Sequence, residues 1–175
     1  MDKKGVIDTI MERKSVRHYR KNGVDRKDLE VMVKAGMAAP SALNRQPWSF
    51  VAITDRQQLD ILGDGLPYAK MLLQASAAIV VCGDLRHLSE GDGKYWLQDS
   101  CAATENILLA VEALGYGAVW TAVYPEEDRM EVVKSTLELP EKVIPLNVIP
   151  IGIPEADRDR PKDKWDEKKL HWDRW

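Results

Sequence analysis

This sequence predicts one domain of mixed helices and strands, on three observations. Its 175 residues suit a single domain with room for an appendage. The run from Ala77 to Gly83, with Ile79, Val80, Val81 and Cys82 consecutive, has the continuous apolar character of a buried central strand. Around it lie segments whose apolar residues recur at three-and-four spacing, the signature of amphipathic helices.

Gly5 to Glu12 forms a helix with Val6, Ile7, Ile10 and Met11 on one face. Asp25, with Asp28 three residues on, resembles a variant capping box, and Leu29, Val31, Met32, Val33 and Met37 carry the next helix to about Ala39, where Pro40 stops it. Ser49 to Thr54 reads as a strand. Gln57 to Leu62 is a short helix, separated by the turn Gly63-Asp64-Gly65 from a further helix around Tyr68 to Ala75. After the central strand comes a turn at Glu90-Gly91-Asp92-Gly93. A helix from Leu97 to Leu114 follows, apolar on most faces and therefore suited to the core or a subunit interface. Gly115 and Gly117 end it. Ala118 to Val123 is a strand, Pro125 starts a helix with acidic residues in its first turn, and Val143 to Gly152 is the last strand, at a sheet margin by its prolines 145 and 150.

Composition narrows the function. The net charge of −3 argues against a nucleic-acid partner, which selects for basic excess. No apolar run reaches the roughly 18 residues of a membrane span, and the first residues lack the apolar core of a signal peptide, so a cytoplasmic protein is expected. Cys82 and Cys101 have no CxxC spacing, and His18, His87 and His171 form no ligand pattern, so no metal site is expected. The basic residues are unevenly spread: Arg13, Lys14, Arg17, Arg20 and Lys21 near the start, and a second group between Arg158 and Lys169. Brought together, the two groups would make a local positive pocket for a small anion on an acidic protein. From Glu155 to Trp175, 14 of 21 residues are charged, yet Trp165, Trp172 and Trp175 are interspersed. Such a segment cannot make a core of its own and is expected to dock on another surface, its own domain's or a partner's.

Two stretches carry the chemistry. Glu12-Arg13-Lys14-Ser15-Val16-Arg17-His18-Tyr19 concentrates cations at a helix end, and Ala39-Pro40-Ser41-Ala42-Leu43-Asn44-Arg45-Gln46-Pro47-Trp48 packs polar side chains between two prolines that forbid regular helix. Alone, the first reads equally as a solvated basic helix end and the second as a capped helix terminus leading into a strand. Their order, together with Leu-Gly-Tyr-Gly-Ala-Val-Trp at 114–120 and the closing Lys-Trp-Asp-Glu-Lys-Lys-Leu-His-Trp-Asp-Arg-Trp, resembles the nitroreductase family of flavin-mononucleotide oxidoreductases, in its shorter branch, over almost the whole chain.

The resemblance implies an α+β fold, a central and mainly antiparallel sheet flanked by helices in an intertwined homodimer. Residues 1–154 would form the FMN-binding domain and 155–175 an arm packing on the partner subunit. Arg13 and Ser15 match the family's phosphate pair, with Lys14 beside them and Arg17 near the pyrimidine end of the ring, where a fixed cation raises the reduction potential. Pro40, Ser41, Ala42 and Asn44 match the loop that reaches the flavin, its Pro-Ser-Ala portion coming from the partner. Trp120, Thr121 and Ala122 match the strand along the ring's central edge. Lys162 and Lys164 match late phosphate contacts, the second of which is commonly arginine. Tyr68 and Lys70 fall near a further flavin contact and stay unassigned. Longer members carry a Glu-Gly pair near Ala122 and Val123, which this chain lacks. The activity implied is ping-pong hydride transfer from NAD(P)H through FMN to a nitroaromatic, quinone or similar small-molecule acceptor, with no catalytic acid or base required of the protein. Dehalogenation, enone reduction or flavin binding with little turnover fit the same scaffold.

Overall fold

The computed structural model describes residues 5–20, 23–89, 91–155 and 163–175. In chain order the elements are α1 (Val6–Glu12), β1 (Tyr19–Arg20), α2 (Arg26–Met37), β2 (Trp48–Ile53), α3 (Arg56–Gly65), β3 (Ala77–Asp84), α4 (Trp96–Ala113), β4 (Gly117–Ala118), β5 (Thr121–Ala122), α5 (Glu127–Leu137) and β6 (Val143–Pro154). Short 3-10 turns occupy Ala42–Asn44, Lys70–Leu73 and Glu167–Lys169.

Strand alternation sets the layers. Side chains of β3 point to opposite faces at successive residues, and each face is covered by a different helix pair. Ala78, Val80 and Cys82 pack with Leu59 and Leu62 of α3 and Val133 of α5. Ala77, Ile79 and Val81 pack with Leu29 and Met32 of α2 and Ile107, Leu108 and Val111 of α4. The strand order is β1-β6-β3-β2, with β4 and β5 also on β6, and every strand pairing in this sheet is antiparallel. The α+β class and the mainly antiparallel sheet between helices are therefore as expected.

Several local expectations are corrected. The strand containing Pro145 and Pro150 is not marginal, because β6 is paired on both edges. Val81 pairs with Asn147 and Cys82 with Pro145, so Leu146 is the extra residue of a bulge beside the first proline. Pro150, which has no N–H to give, lies opposite the gap at Val119 and Trp120 that splits the expected 118–123 strand into β4 and β5. Gly63 and Gly65 do not turn the chain: α3 runs through them. A Cβ on Gly63 would lie 2.9 Å from Leu73 Cδ2 and one on Gly65 2.7 Å from Val132 Cγ1, so these glycines are close-packing positions. The helix expected over 68–75 shrinks to the Lys70–Leu73 turn. Asp25 makes no side-chain cap on α2; Asp28 instead accepts a 2.7 Å hydrogen bond from Tyr116 Oη. The apolar face of α1 points outward, with Val6, Ile7, Ile10 and Met11 between 46% and 75% exposed.

At the end of β3, Arg86 and then the Ser49 hydroxyl bond Asp84 and hold its carboxyl well below the usual carboxylate range, against the opposing effect of burial. A carboxylate whose folded value is depressed stabilises fully above its unfolded value of about 3.9 and loses that contribution as pH falls towards the folded one. Asp84→Asn is expected to lower unfolding free energy by about 1 kcal/mol at pH 7, a figure kept small because Arg86 is partly solvated. The deficit should shrink steadily as pH falls below about 4 in urea titrations; a pH-independent deficit would contradict the linkage.

Candidate functional site

The basic segment leaves α1 extended and joins the sheet. Ser15 bridges Ala118 of β4 in parallel, and the Val16 N–H donates to the Ala118 carbonyl at 2.9 Å. Val16 itself is buried against Gly117: a Cβ there would meet Val16 Cβ, Cγ1 and Cγ2 at 2.8 Å. Further along, Tyr19 Oη donates to the Val16 carbonyl at 2.7 Å and lies 3.2 Å from that of Pro150, which ties the segment to β6. Arg13, Lys14, Ser15 and Arg17 are thus carried on an edge whose continuation is Trp120, Thr121 and Ala122. Trp120 packs on the α2/α4 core, Thr121 is buried with its hydroxyl donating to the Val148 carbonyl at 2.6 Å, and Ala122 is exposed.

Arg13 spends its Nε on Glu105 of α4, at 3.3 Å, leaving the two terminal nitrogens of the fork for another acceptor. Lys14 makes no ion pair, and the Ser15 hydroxyl no hydrogen bond, among the described residues. The set of a partly committed guanidinium, an ammonium and a hydroxyl on a glycine-backed strand suits a phosphate.

The Pro40–Asn44 loop is fastened to the other part of α4. The Ala42 N–H donates to Asp99 Oδ1 at 3.0 Å, and Ser41 Oγ accepts from the Gln46 N–H at 2.9 Å. Gln46 Nε2 donates to Asn44 Oδ1 at 3.1 Å, and Arg45 pairs with Asp92. Leu43, Asn44 and Gln46 all have φ above +50°, and Leu43 is 84% exposed. A β-carbon in this region costs energy, and clustered strain of this kind is held only where surrounding bonds over-determine it. Asp99 and Glu105 are six residues apart, about 9 Å along the helix and roughly 240° around it. Within one chain the loop and the basic segment therefore flank α4 on different faces and do not close on each other.

Among the described residues, Lys164 is not joined to this site. Lys162 lies outside the described residues. Lys164 is exposed, as is every residue from 163 to 175, and the hydrogen bonds and ion pair of that segment are all internal to it. His171 stacks on Trp175 at 4.2 Å, while Trp165 and Trp172 face solvent.

Asp99, Glu105 and the buried Asn147 were not singled out by sequence. Asn147 Nδ2 donates to Thr104 Oγ1, which donates to the Ser100 carbonyl, locking β6 to α4. A polar residue inside an otherwise apolar helix was the available signal for Asp99. Thiol chemistry is disfavoured: burial, then the charge of Asp84, pushes the Cys82 thiol up to about 12, and burial also raises Cys101. Among the described residues no group of three or more His, Cys, Asp or Glu is placed to hold a metal ion, and no helix is long and apolar enough to cross a membrane.

The profile of the Nitroreductase family matches residues 10–71 and 57–153. A protein of Archaeoglobus fulgidus, provisionally named NADH dehydrogenase/NAD(P)H nitroreductase, is 40% identical over 168 residues, 95% of this chain and 96% of the relative. A crystal structure of a Bacteroides thetaiotaomicron protein of the same provisional name is 51% identical and superposes with a TM-score of 0.90, covering 97% of this chain and 98% of that one. A provisionally named nitroreductase of Desulfovibrio desulfuricans, solved in complex with FMN, is 26% identical with a TM-score of 0.80 over 98% of both chains.

Asp99→Ala should release the strained loop. Amide exchange at Ala42 and Asn44 is expected to accelerate selectively, with a loss of about 1–2 kcal/mol for the missing charged acceptor. Unchanged protection of the loop would mean that its own internal bonds suffice.

Proposed function

Since the chain belongs to the nitroreductase family, we propose that it is an FMN-dependent oxidoreductase that takes electrons from NAD(P)H and passes them to a nitroaromatic, quinone or similar small acceptor. The observation that carries this reading is the parallel docking of Ser15 and Val16 on Ala118, which sets the Arg13–Arg17 cations and the Trp120–Ala122 edge side by side. The names of relatives support it: an FMN reductase (NADPH) of Bacillus subtilis is 25% identical over 85% of this chain, and the Desulfovibrio protein binds FMN. When bound, FMN supplies the hydride chemistry, accepting from the nicotinamide and donating to the acceptor. Arg13, Lys14 and Ser15 hold its phosphate, Arg17 lies by the pyrimidine end, and Trp120, Thr121 and Ala122 present backbone to the ring edge. Ala122 and Val123 stand where longer members have Glu-Gly, so this edge offers no carboxylate.

The working unit is a homodimer, by three features of the single chain. Among the described residues nothing buries the apolar face of α1. The loop at Pro40, Ser41, Ala42 and Asn44 is turned from its own basic segment and available to a second one. Between α2 and β2 runs a groove of about 520 Å³ lined by Leu29, Val33, Met37 and Phe50, beside β2 as the last strand of the sheet order, while the arm 155–175 carries exposed tryptophans. The partner's arm, with Lys162 and Lys164, fits these vacancies and brings its cations to the phosphate.

Purified protein is expected to sediment as a dimer and show a bound-flavin spectrum that NADH or NADPH bleaches anaerobically. Gly117→Ala, which pushes Val16 and its neighbours off β4, should weaken FMN binding at least tenfold while the dimer persists. Wild-type protein that takes up no FMN at micromolar concentration ends this reading. Flavin bound but reduced only slowly by both nicotinamides would leave a flavin-binding protein with little turnover.

A further inference from the structure

Arg129 of α5 is set apart from the other arginines near the site. Arg13, Arg45, Arg56 and Arg86 are each paired with a carboxylate, Glu105, Asp92, Asp60 and Asp84 respectively. Arg129 is half-buried and makes no ion pair among the described residues, although Glu126, Glu127 and Asp128 precede it on the same element. Its Nη1 donates to the carbonyl of Ala122 at 3.3 Å. Its guanidinium carbon sits 5.2 Å from the ring centroid of Tyr68, which is 73% exposed. Its Nε–H is buried and has no acceptor.

We infer that Arg129 is a positioning residue that fastens β5 to α5 through the Ala122 carbonyl and holds an uncompensated positive charge beside that strand, so that the site binds reduced flavin more tightly than oxidised flavin. The inference rests on the flavin reading above, since Ala122 belongs to the edge assigned to the ring. Two electrons and one proton added to a neutral isoalloxazine leave one net negative charge on it. A cation already neutralised by a carboxylate discriminates little between the two states. One without a counter-ion, partly withdrawn from water, favours the charged state. Partial burial with an unsatisfied Nε–H makes such an unpaired guanidinium costly to keep, and Tyr68 beneath it offers cation–π compensation while leaving its charge in place. The residue also makes good what the chain lacks at Ala122 and Val123, since the edge is oriented by a cation from behind and not by a carboxylate of its own.

The test is the two-electron midpoint potential of the flavin-loaded protein, measured by equilibration with reference dyes, for wild type, Arg129→Gln and Arg129→Lys. Arg129→Gln is expected to retain FMN and lose about tenfold in its preference for the reduced form, a fall of about 30 mV. Arg129→Lys should recover at least half of that shift. Tyr68→Glu, at an exposed position, places a carboxylate against the guanidinium without removing it and should lower the potential in the same direction, which keeps the test available should Arg129→Gln fail to fold. An unchanged potential in Arg129→Gln, with only the melting temperature of the apoprotein lowered, overturns the assignment, as does a lysine variant indistinguishable from the glutamine one or a Tyr68→Glu protein with wild-type potential. Wild-type protein that binds no flavin defeats the parent reading and this one together. Wild-type protein that binds flavin and a variant with no shift defeat this one alone.

Discussion

Everything in this molecule is referenced to β6, a strand held on both edges although three of its residues, Pro145, Pro150 and the terminal Pro154, cannot donate a backbone hydrogen bond. On one side it pairs with β3, whose seven fully covered residues make the boundary between the two helical layers. On the other it carries β4 and β5, and through β4 the Ser15–Val16 segment. A proline inside a paired strand removes a ladder bond, so such a strand survives only where the missing donors face a bulge or a gap. Here Pro145 sits by the Leu146 bulge and Pro150 by the break at Val119 and Trp120. That break has a consequence for the site: it separates the part of the edge that receives the basic segment from the part that continues into Thr121 and Ala122.

The second organising element is α4, which is apolar enough to be a core helix yet anchors polar groups along its first ten residues. Asp99 accepts from the loop, Glu105 orients Arg13, and Thr104 receives Asn147 from β6. These attachments lie at different angles around the helix, so the loop and the basic segment meet it on different faces. The dimer proposed above would account together for the exposed apolar face of α1 and the three exposed tryptophans of the arm.

The pattern-driven parts of this fold were legible in the sequence. The continuous apolar run of β3, the periodicity of α2 and the all-round apolar α4 follow from burial alone, and burial is written in composition and spacing. The tight, polar character of the loop at 40–46 was legible because its two prolines and its short polar side chains forbid regular helix. What was not legible depended on pairwise distances. Gly63 and Gly65 look like turn residues until Leu73 and Val132 are seen against them, and Pro145 and Pro150 look like margin residues until the bulge and the gap appear. The apolar face of α1 was legible as a face, and its exposure was not, because periodicity reports which residues share a face and not what covers it.

Arg129 belongs to the same illegible class, and for a reason that bears on how such sites change. In the sequence it is one more charged residue in the first turns of an acidic helix. Its meaning comes from the geometry that brings α5 back over β5, where a carbonyl, an exposed tyrosine ring and the absence of a carboxylate coincide. On the flavin reading proposed above, a strand edge with neither a carboxylate nor a glycine of its own would be positioned by the guanidinium that bonds its carbonyl. The Ala122 side chain stays exposed while its carbonyl is held by Arg129, so the strand is fixed without its outer face being covered.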